Sequence, residues 1–221
     1  MSVQADVRTP TDQESMRDVV HPTNGAEGGF LVLADISGFT AFTTATELEH
    51  GAEVTGALLA EVMRVLSPPL EIQELEGDAV FALGSDRVVA RGVPLLRLLR
   101  RAFLAFRALQ EKMQADDSCS CGACSNVDML DLKIVVHHGS FMRQSVGGRS
   151  RVAGPDVILA HKLLKNEIES EAYILLTRAA LERLELDPVV AGAQSFTGTY
   201  DHFGEVTCFA LGLDPVALRN P

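Results

Sequence analysis

The stretch Gly29-Phe-Leu-Val-Leu-Ala-Asp-Ile-Ser-Gly-Phe-Thr40 constrains the fold of this chain more than any other. Phe30 to Ala34 are apolar without alternation and follow Gly28-Gly29, the pattern of a strand buried on both faces. Asp35 stands at its exit. An Asp at a strand end is by default a turn or capping residue, and its meaning changes only if a second carboxylate comes beside it. Glu76-Gly77-Asp78 supplies the candidate. It joins two short apolar runs, Leu70 to Leu75 and Ala79 to Leu83, and suits a hairpin with Asp78 at its tip.

The remaining chain alternates helices with further strands. Val54, Leu58, Val62 and Leu66 recur at four-residue steps, with Glu47, Glu49 and Glu53 on another face, so Thr43 to Leu66 is expected to be an amphipathic helix stopped by Pro68-Pro69. Leu95, Leu99, Phe103, Phe106, Leu109 and Met113 predict a second long helix over Val89 to Met113. Leu130 to His137 and Phe141 to Val146 read as a hairpin across His138-Gly139-Ser140. Pro155 to Asn166 reads as a helix with Pro in its first turn. Tyr173 to Leu176 and Val206 to Leu211 are strands flanking a short helix over Arg178 to Leu184. These elements make an α+β fold with a mostly antiparallel sheet and helices packed on it.

Residues 1–27 carry Pro10, Pro22 and Asn24-Gly25 with little periodicity and are expected to form a disordered N-terminal arm. One domain over 28–213 and a tail over 214–221 complete the expected organisation, since 221 residues without an internal linker suit a single core. Nineteen basic against thirty acidic residues give a net charge of −11, which repels nucleic acid. No run of about eighteen apolar residues is present, so no membrane span is expected. The polar N-terminus lacks a signal-peptide core, and Cys119, Cys121 and Cys124 crowd together while Cys208 stands alone, unlike a secreted disulfide framework. A cytoplasmic location is the expectation.

Four stretches in order resemble the catalytic domain of class III adenylate and guanylate cyclases. These are Ala34-Asp-Ile-Ser-Gly-Phe-Thr40, Gly77-Asp-Ala-Val-Phe-Ala82, Leu132-Lys-Ile-Val-Val-His-His-Gly139 and Val152-Ala-Gly-Pro-Asp-Val-Ile-Leu-Ala-His-Lys-Leu163. The closer resemblance is to a divergent branch, a domain of unknown function, in which the Asp-Ile-Ser-Gly motif, a Cys-x-Cys-x-x-Cys loop, a Val-His-His-Gly turn and an Ile-Leu-x-His-x-Leu-Leu-Lys-Asn helix recur together. The resemblance implies a ferredoxin-like cyclase fold, a nucleoside triphosphate ligand, and a dimer, homodimeric or heterodimeric, that shares its sites between chains. It further implies Asp35 and Asp78 as ligands of two Mg²⁺ or Mn²⁺ ions, which neutralise triphosphate charge. The turn Ile36-Ser37-Gly38-Phe39-Thr40, entering a helix, offers backbone N–H groups to phosphate.

Elsewhere the sequence departs from that family. The base-reading position four residues before the second metal Asp is Glu74, the guanylate-type choice, because a carboxylate accepts from guanine N–H groups. Its companion is Arg151, where the family has Asp, Thr, Ser or Cys. Glu74 and Arg151 are open to pairing with each other, or Arg151 to addressing a base carbonyl or a phosphate. The family's transition-state Asn and Arg positions fall on Ile158 and Lys162. Lys keeps the charge without the planar fork, and Ile has no hydrogen-bonding group. Lys162 and Asn166, at four-residue spacing on the expected helix, offer a shifted catalytic pair.

Asp117-Ser-Cys119-Ser-Cys121-Gly-Ala-Cys124 suits Zn²⁺, with a fourth ligand from His137, His138, Asp117 or a second subunit. The alternatives are a reduced surface loop or a redox-active Cys121–Cys124 pair. The expectation is a divergent nucleotidyl-cyclase-like domain that binds a nucleoside triphosphate with divalent metal, its cyclase activity atypical or lost. The competing expectation is a regulatory or scaffold protein on the same fold with a Zn- or redox-responsive loop.

Overall fold

The apolar run becomes strand β2 (Glu27–Ser37), preceded by the short strand β1 (Val20–Pro22). The structure, a computed structural model, describes residues 20–22, 25–87, 92–116 and 118–219. Of the expected arm, residues 1–19 and 23–24 lie outside the described residues, as do Val89 and Asp117. Val20–Pro22 pairs antiparallel with Gln144 to Val146.

β2 lies between β4 (Ala79–Ser85) and β5 (Asp131–Val146), antiparallel to both. A strand paired on both edges and covered on both faces needs an apolar side chain at almost every position, which is why the run shows no alternation. β3 (Glu71–Glu76), β6 (Arg149–Ala153), β7 (Tyr173–Thr177), β8 (Gln194–Tyr200) and β9 (Gly204–Gly212) complete the sheet. The main order is β3-β4-β2-β5-β7-β9-β8, with β1 and β6 paired to the far end of β5. Among the described strands only β5 and β7 run parallel.

The helices are α1 (Phe39–Ala45), α2 (Leu48–Leu66), α3 (Gly92–Gln114), α4 (Gly122–Ser125), α5 (Pro155–Lys162), α6 (Arg178–Arg183) and α7 (Pro215–Arg219). Val32, Ala34 and Ile36 point to the face covered by α2, α3 and α6, through Val54, Leu58, Phe103, Phe106 and Leu181. Leu31, Leu33, Phe81 and Val135 point the other way, onto Val157, Leu159 and Ala160 of α5. This α+β fold with a mostly antiparallel sheet is the one expected from the sequence.

Three elements differ from expectation. The helix over Thr43 to Leu66 is two helices, because Thr46 and Glu47 are extended between α1 and α2. The hairpin across Gly139 is one strand: β5 continues for 16 residues, paired with β2 from Asp131 through Phe141. Gly139 is needed there for a different reason, since a Cβ at that position would collide with the Asp156 side chain. Finally, α5 stops at Lys162, so Lys162 and Asn166 do not share a helix face.

Candidate functional site

Asp35 leaves the sheet opposite Ala79 on β4 and Lys133 on β5. The Ile36 N–H donates to the Asp78 carbonyl at 3.1 Å, which fixes the β3–β4 hairpin tip against the end of β2. The two residues are therefore neighbours, and the Asp78 charge is the smallest of the influences on Asp35. Lys133 Nζ lies 3.0 Å from an Asp35 oxygen. Burial is the largest influence on Asp35 and pushes its pKa up, against the pull of the Lys133 ammonium. Burial also opposes the charge on Lys133, but there Asp35, Tyr173 and Glu171 outweigh it and its pKa is raised. The 3.0 Å contact lets each charge compensate the other.

The turn after Asp35 is backed by the chain that follows the cysteine loop. Gly38 has φ 77°, and a Cβ there would run into the Met129 carbonyl oxygen. Only glycine satisfies both demands. Ile36 and Ser37 are buried, and the Ser37 hydroxyl donates to the Glu171 carbonyl at 2.9 Å. Gly38 and Thr40 are the exposed members of the turn, and Phe39 is half-buried against the helical core.

Glu74, Arg151, Ile158 and Lys162 line one open cleft of about 660 Å³, beside Phe81 and Tyr200. Neither Asp35 nor Asp78 lines it. No ion pair joins Glu74 to Arg151 among the described residues. Instead Glu76 takes a hydrogen bond with His161 Nε2 at 2.9 Å, and the His161 ring meets Phe81 edge-on. Ile158 is 54 % exposed and presents only hydrocarbon to the cleft.

Asn166 is placed elsewhere. Its amide donates to the Leu163 carbonyl and to the Tyr173 hydroxyl, both at 2.8 Å, so the expected pair Lys162 and Asn166 is not assembled. The register puts Tyr173 beside Lys133, so Asn166 braces the carboxylate site from behind.

The two histidines expected as fourth-ligand candidates for the cysteine loop are engaged elsewhere, and Asp117 lies outside the described residues. His137 is buried, with Nδ1 2.9 Å from the Thr177 hydroxyl and Nε2 3.2 Å from Asp156, and burial holds its pKa down. His138 pairs with Asp86 at 3.0 Å. His50 on α2 is the residue that meets the loop: a ligand atom from each of His50, Cys119 and Cys121 lies within 4.8 Å of the others, a group able to hold a metal ion. Sequence spacing gave no sign of His50, which is remote in the chain. Lys133 was equally hidden, although it lies inside the Leu132 to Gly139 motif.

A family model described as Protein of unknown function (DUF2652) matches residues 55–173. The uncharacterized protein Rv2561/Rv2562 of Mycobacterium tuberculosis is 31% identical over 148 residues, 65% of this chain and 66% of that protein. The match thus spans just under two thirds of that relative's length. Among solved structures, the guanylyl cyclase Cya2 superposes with a TM-score of 0.66 at 14% identity, covering 86% of this chain and 98% of that one. The adenylyl cyclase CyaB from Pseudomonas aeruginosa gives 0.63 at 15%, covering 85% and 95%. A class III adenylyl cyclase-like ATP-binding protein from Pseudomonas aeruginosa gives 0.60 at 18%, covering 88% of this chain and 40% of that one. At such identities the likeness is one of fold. No helix among the described residues is long and apolar enough to cross a membrane. The chain belongs to the family described as Protein of unknown function (DUF2652), built on the α+β fold of adenylyl and guanylyl cyclases.

Proposed function

We propose that this chain binds a nucleoside triphosphate with divalent metal in a site shared between two copies, with cyclase activity atypical or lost. The observation that carries this reading is the division of groups within one chain. Asp35 and Asp78 meet at the end of β2, whereas Glu74, Arg151 and Lys162 line a cleft that contains neither carboxylate. A second copy placed against the cleft would join the two halves. In support, α5 is the helix packed on this sheet face among the described residues, and it leaves Ile158 exposed.

The donor set at Asp35 and Asp78 fits Mg²⁺ or Mn²⁺, since both ions prefer hard carboxylate oxygens. The Lys133 ammonium is the positive charge now beside Asp35, and a bound ion would share the carboxylate with it or displace it. A bound ion would neutralise triphosphate charge and polarise a phosphoryl oxygen. The Ile36 to Thr40 turn would lie against the phosphates, and Glu74 and Arg151 against the base. One fold neighbour is described as an adenylyl cyclase-like ATP-binding protein, a case of nucleotide binding on this architecture.

Chemistry is the weaker half. Ile158 cannot position a ribose by hydrogen bonding, and loss of one preorganised donor costs on the order of 10²–10³ in rate. If turnover survives, the reaction class is a nucleotidyl cyclase, a phosphorus-oxygen lyase. Ile158 also favours the second reading, a regulatory or scaffold protein without nucleotide chemistry. Calorimetry with each of the four ribonucleoside triphosphates and Mn²⁺ separates the two. Binding lost in the Asp35→Ala, Asp78→Ala double variant supports the proposal, and wild-type protein that binds none of the four overturns it.

A further inference from the structure

Cys119, Cys121 and Cys124 are all reduced and half-buried, and their sulfurs converge on one place beside α2. The Cys124 thiol is in hydrogen-bond contact with both Cys121 and Cys119. His50, in the first turn of α2, approaches Cys121 from outside, within the 4.8 Å that encloses His50, Cys119 and Cys121. Four tetrahedral ligands at about 2.3 Å for sulfur and 2.0–2.1 Å for nitrogen stand roughly 3.5–3.8 Å apart, so His50, Cys119 and Cys121, within 4.8 Å of one another, would draw in by about 1 Å, and Cys124, outside that trio, would turn in from its contact with Cys121 and Cys119.

We propose that His50, Cys119, Cys121 and Cys124 form a closed, structural Cys₃His zinc site that fastens the 118–130 loop to the start of α2. Soft thiolates with one imidazole select Zn²⁺ over the hard ions proposed at Asp35. Binding releases the thiol protons to solvent and leaves every sulfur at its original oxidation level.

Two further features are preset for this site. Glu47, immediately before α2, sends its carboxylate across to accept from the N–H groups of Gly122 and Ala123, at 3.0 and 3.2 Å. That bridge holds α4 against α2 before any ion arrives. The Cys124 backbone N–H also donates to Cys121 Sγ at 3.3 Å. This contact makes Cys121 the N-cap of α4 and holds its sulfur beside Cys124.

The site reaches the proposed nucleotide turn through a short path. The loop continues from α4 through the 3₁₀ turn Val127–Met129, and the Met129 carbonyl packs on Gly38. Zinc would thus fix the backing of the turn, and its loss would loosen the turn without touching Asp35.

The 221-residue chain, purified without chelator and dialysed against zinc-free buffer, is the sample. One zinc per chain by elemental analysis is expected. Cys119, Cys121 and Cys124 should be slow towards a thiol reagent until chelator is added, and Cys208 is buried in either case. Replacement by Co²⁺ should give the visible spectrum of a tetrahedral sulfur-rich site. His50→Ala should lower zinc affinity at least 10–100-fold, the loss typical even of a residue that merely supports a ligand, and His50→Cys should restore it. This pair stays interpretable where a cysteine variant fails to fold. Protein that holds no zinc and shows three freely reactive thiols overturns the proposal. So does a mass lower by two hydrogens, which marks a disulfide, or a Co²⁺ spectrum unchanged in His50→Ala. None of these readouts depends on nucleotide binding, so this proposal and the preceding one fail separately.

Discussion

Lys133 and Asp35 are the pair on which the proposed metal half depends. Both are largely buried at the end of the sheet and only 3.0 Å apart, so each is tolerated there because of the other. Removing one partner of such a pair leaves an uncompensated charge, which costs more than the pair contributes. Lys133→Met is therefore expected to lower stability by about 1–3 kcal/mol, with Asp35 driven further towards its protonated form. Adding Asp35→Asn to that variant should recover much of the loss, and urea midpoints of the wild type, two single variants and the double variant check this. A second residue prediction concerns packing. Gly139→Ala forces the Asp156 side chain away from its contacts with His137 and the Ser140 N–H. The expected cost is about 1–3 kcal/mol by overpacking, read from the same urea transition.

At the scale of elements, β5 carries the largest number of consequences. Its pattern broke at His138-Gly139-Ser140, which resembles a turn when read locally. The pairing with β2 runs straight through, because register is decided by the neighbouring strand and not by local turn propensity. The same limit hid β8, whose Gln194-Ser-Phe-Thr-Gly-Thr-Tyr200 is polar because it is an edge strand, bonded among the described strands to β9 alone. By contrast, β2 and the β3–β4 hairpin were legible with Asp35 and Asp78 in place, since a doubly covered strand and a Gly-containing tip leave local marks. His50 and Lys133 were not legible as site residues, as each acquires its partner through tertiary packing. Continuity of β5 also carries His137 into the core between Thr177 and Asp156.

Burial is the larger influence on His137 and lowers its pKa below 6.5, with His138 acting the same way and Asp156 opposing. The unfolded chain therefore binds this proton more readily than the folded one. Stability contributed by neutral His137 is full above pH 6.5 and declines as pH falls below it. Urea midpoints between about pH 7.5 and about pH 5.5, one unit either side of an ordinary histidine, should fall less steeply in His137→Gln than in wild type. Equal slopes would remove His137 from the acid sensitivity.

The whole molecule presents two unlike faces. One is covered by α2, α3 and α6, and the other carries α5 with the cleft beside it. A chain that keeps its carboxylates and its cleft apart reads as half of a site, and association is the expected remedy. Ile158→Asp should weaken self-association, with the sedimentation coefficient at a fixed concentration shifting towards the monomer, while the monomer keeps its fold by circular dichroism. The most direct test of the shared site is to mix two defective chains. One carries Asp35→Ala and Asp78→Ala, and the other carries Glu74→Ala, Arg151→Ala and Lys162→Ala. Each alone should fail to bind nucleoside triphosphate with Mn²⁺, and their mixture, unfolded and refolded together, should regain a fraction of the wild-type binding sites in the calorimeter. A mixture as inactive as its two components, beside wild-type protein that binds, would contradict a site divided between copies.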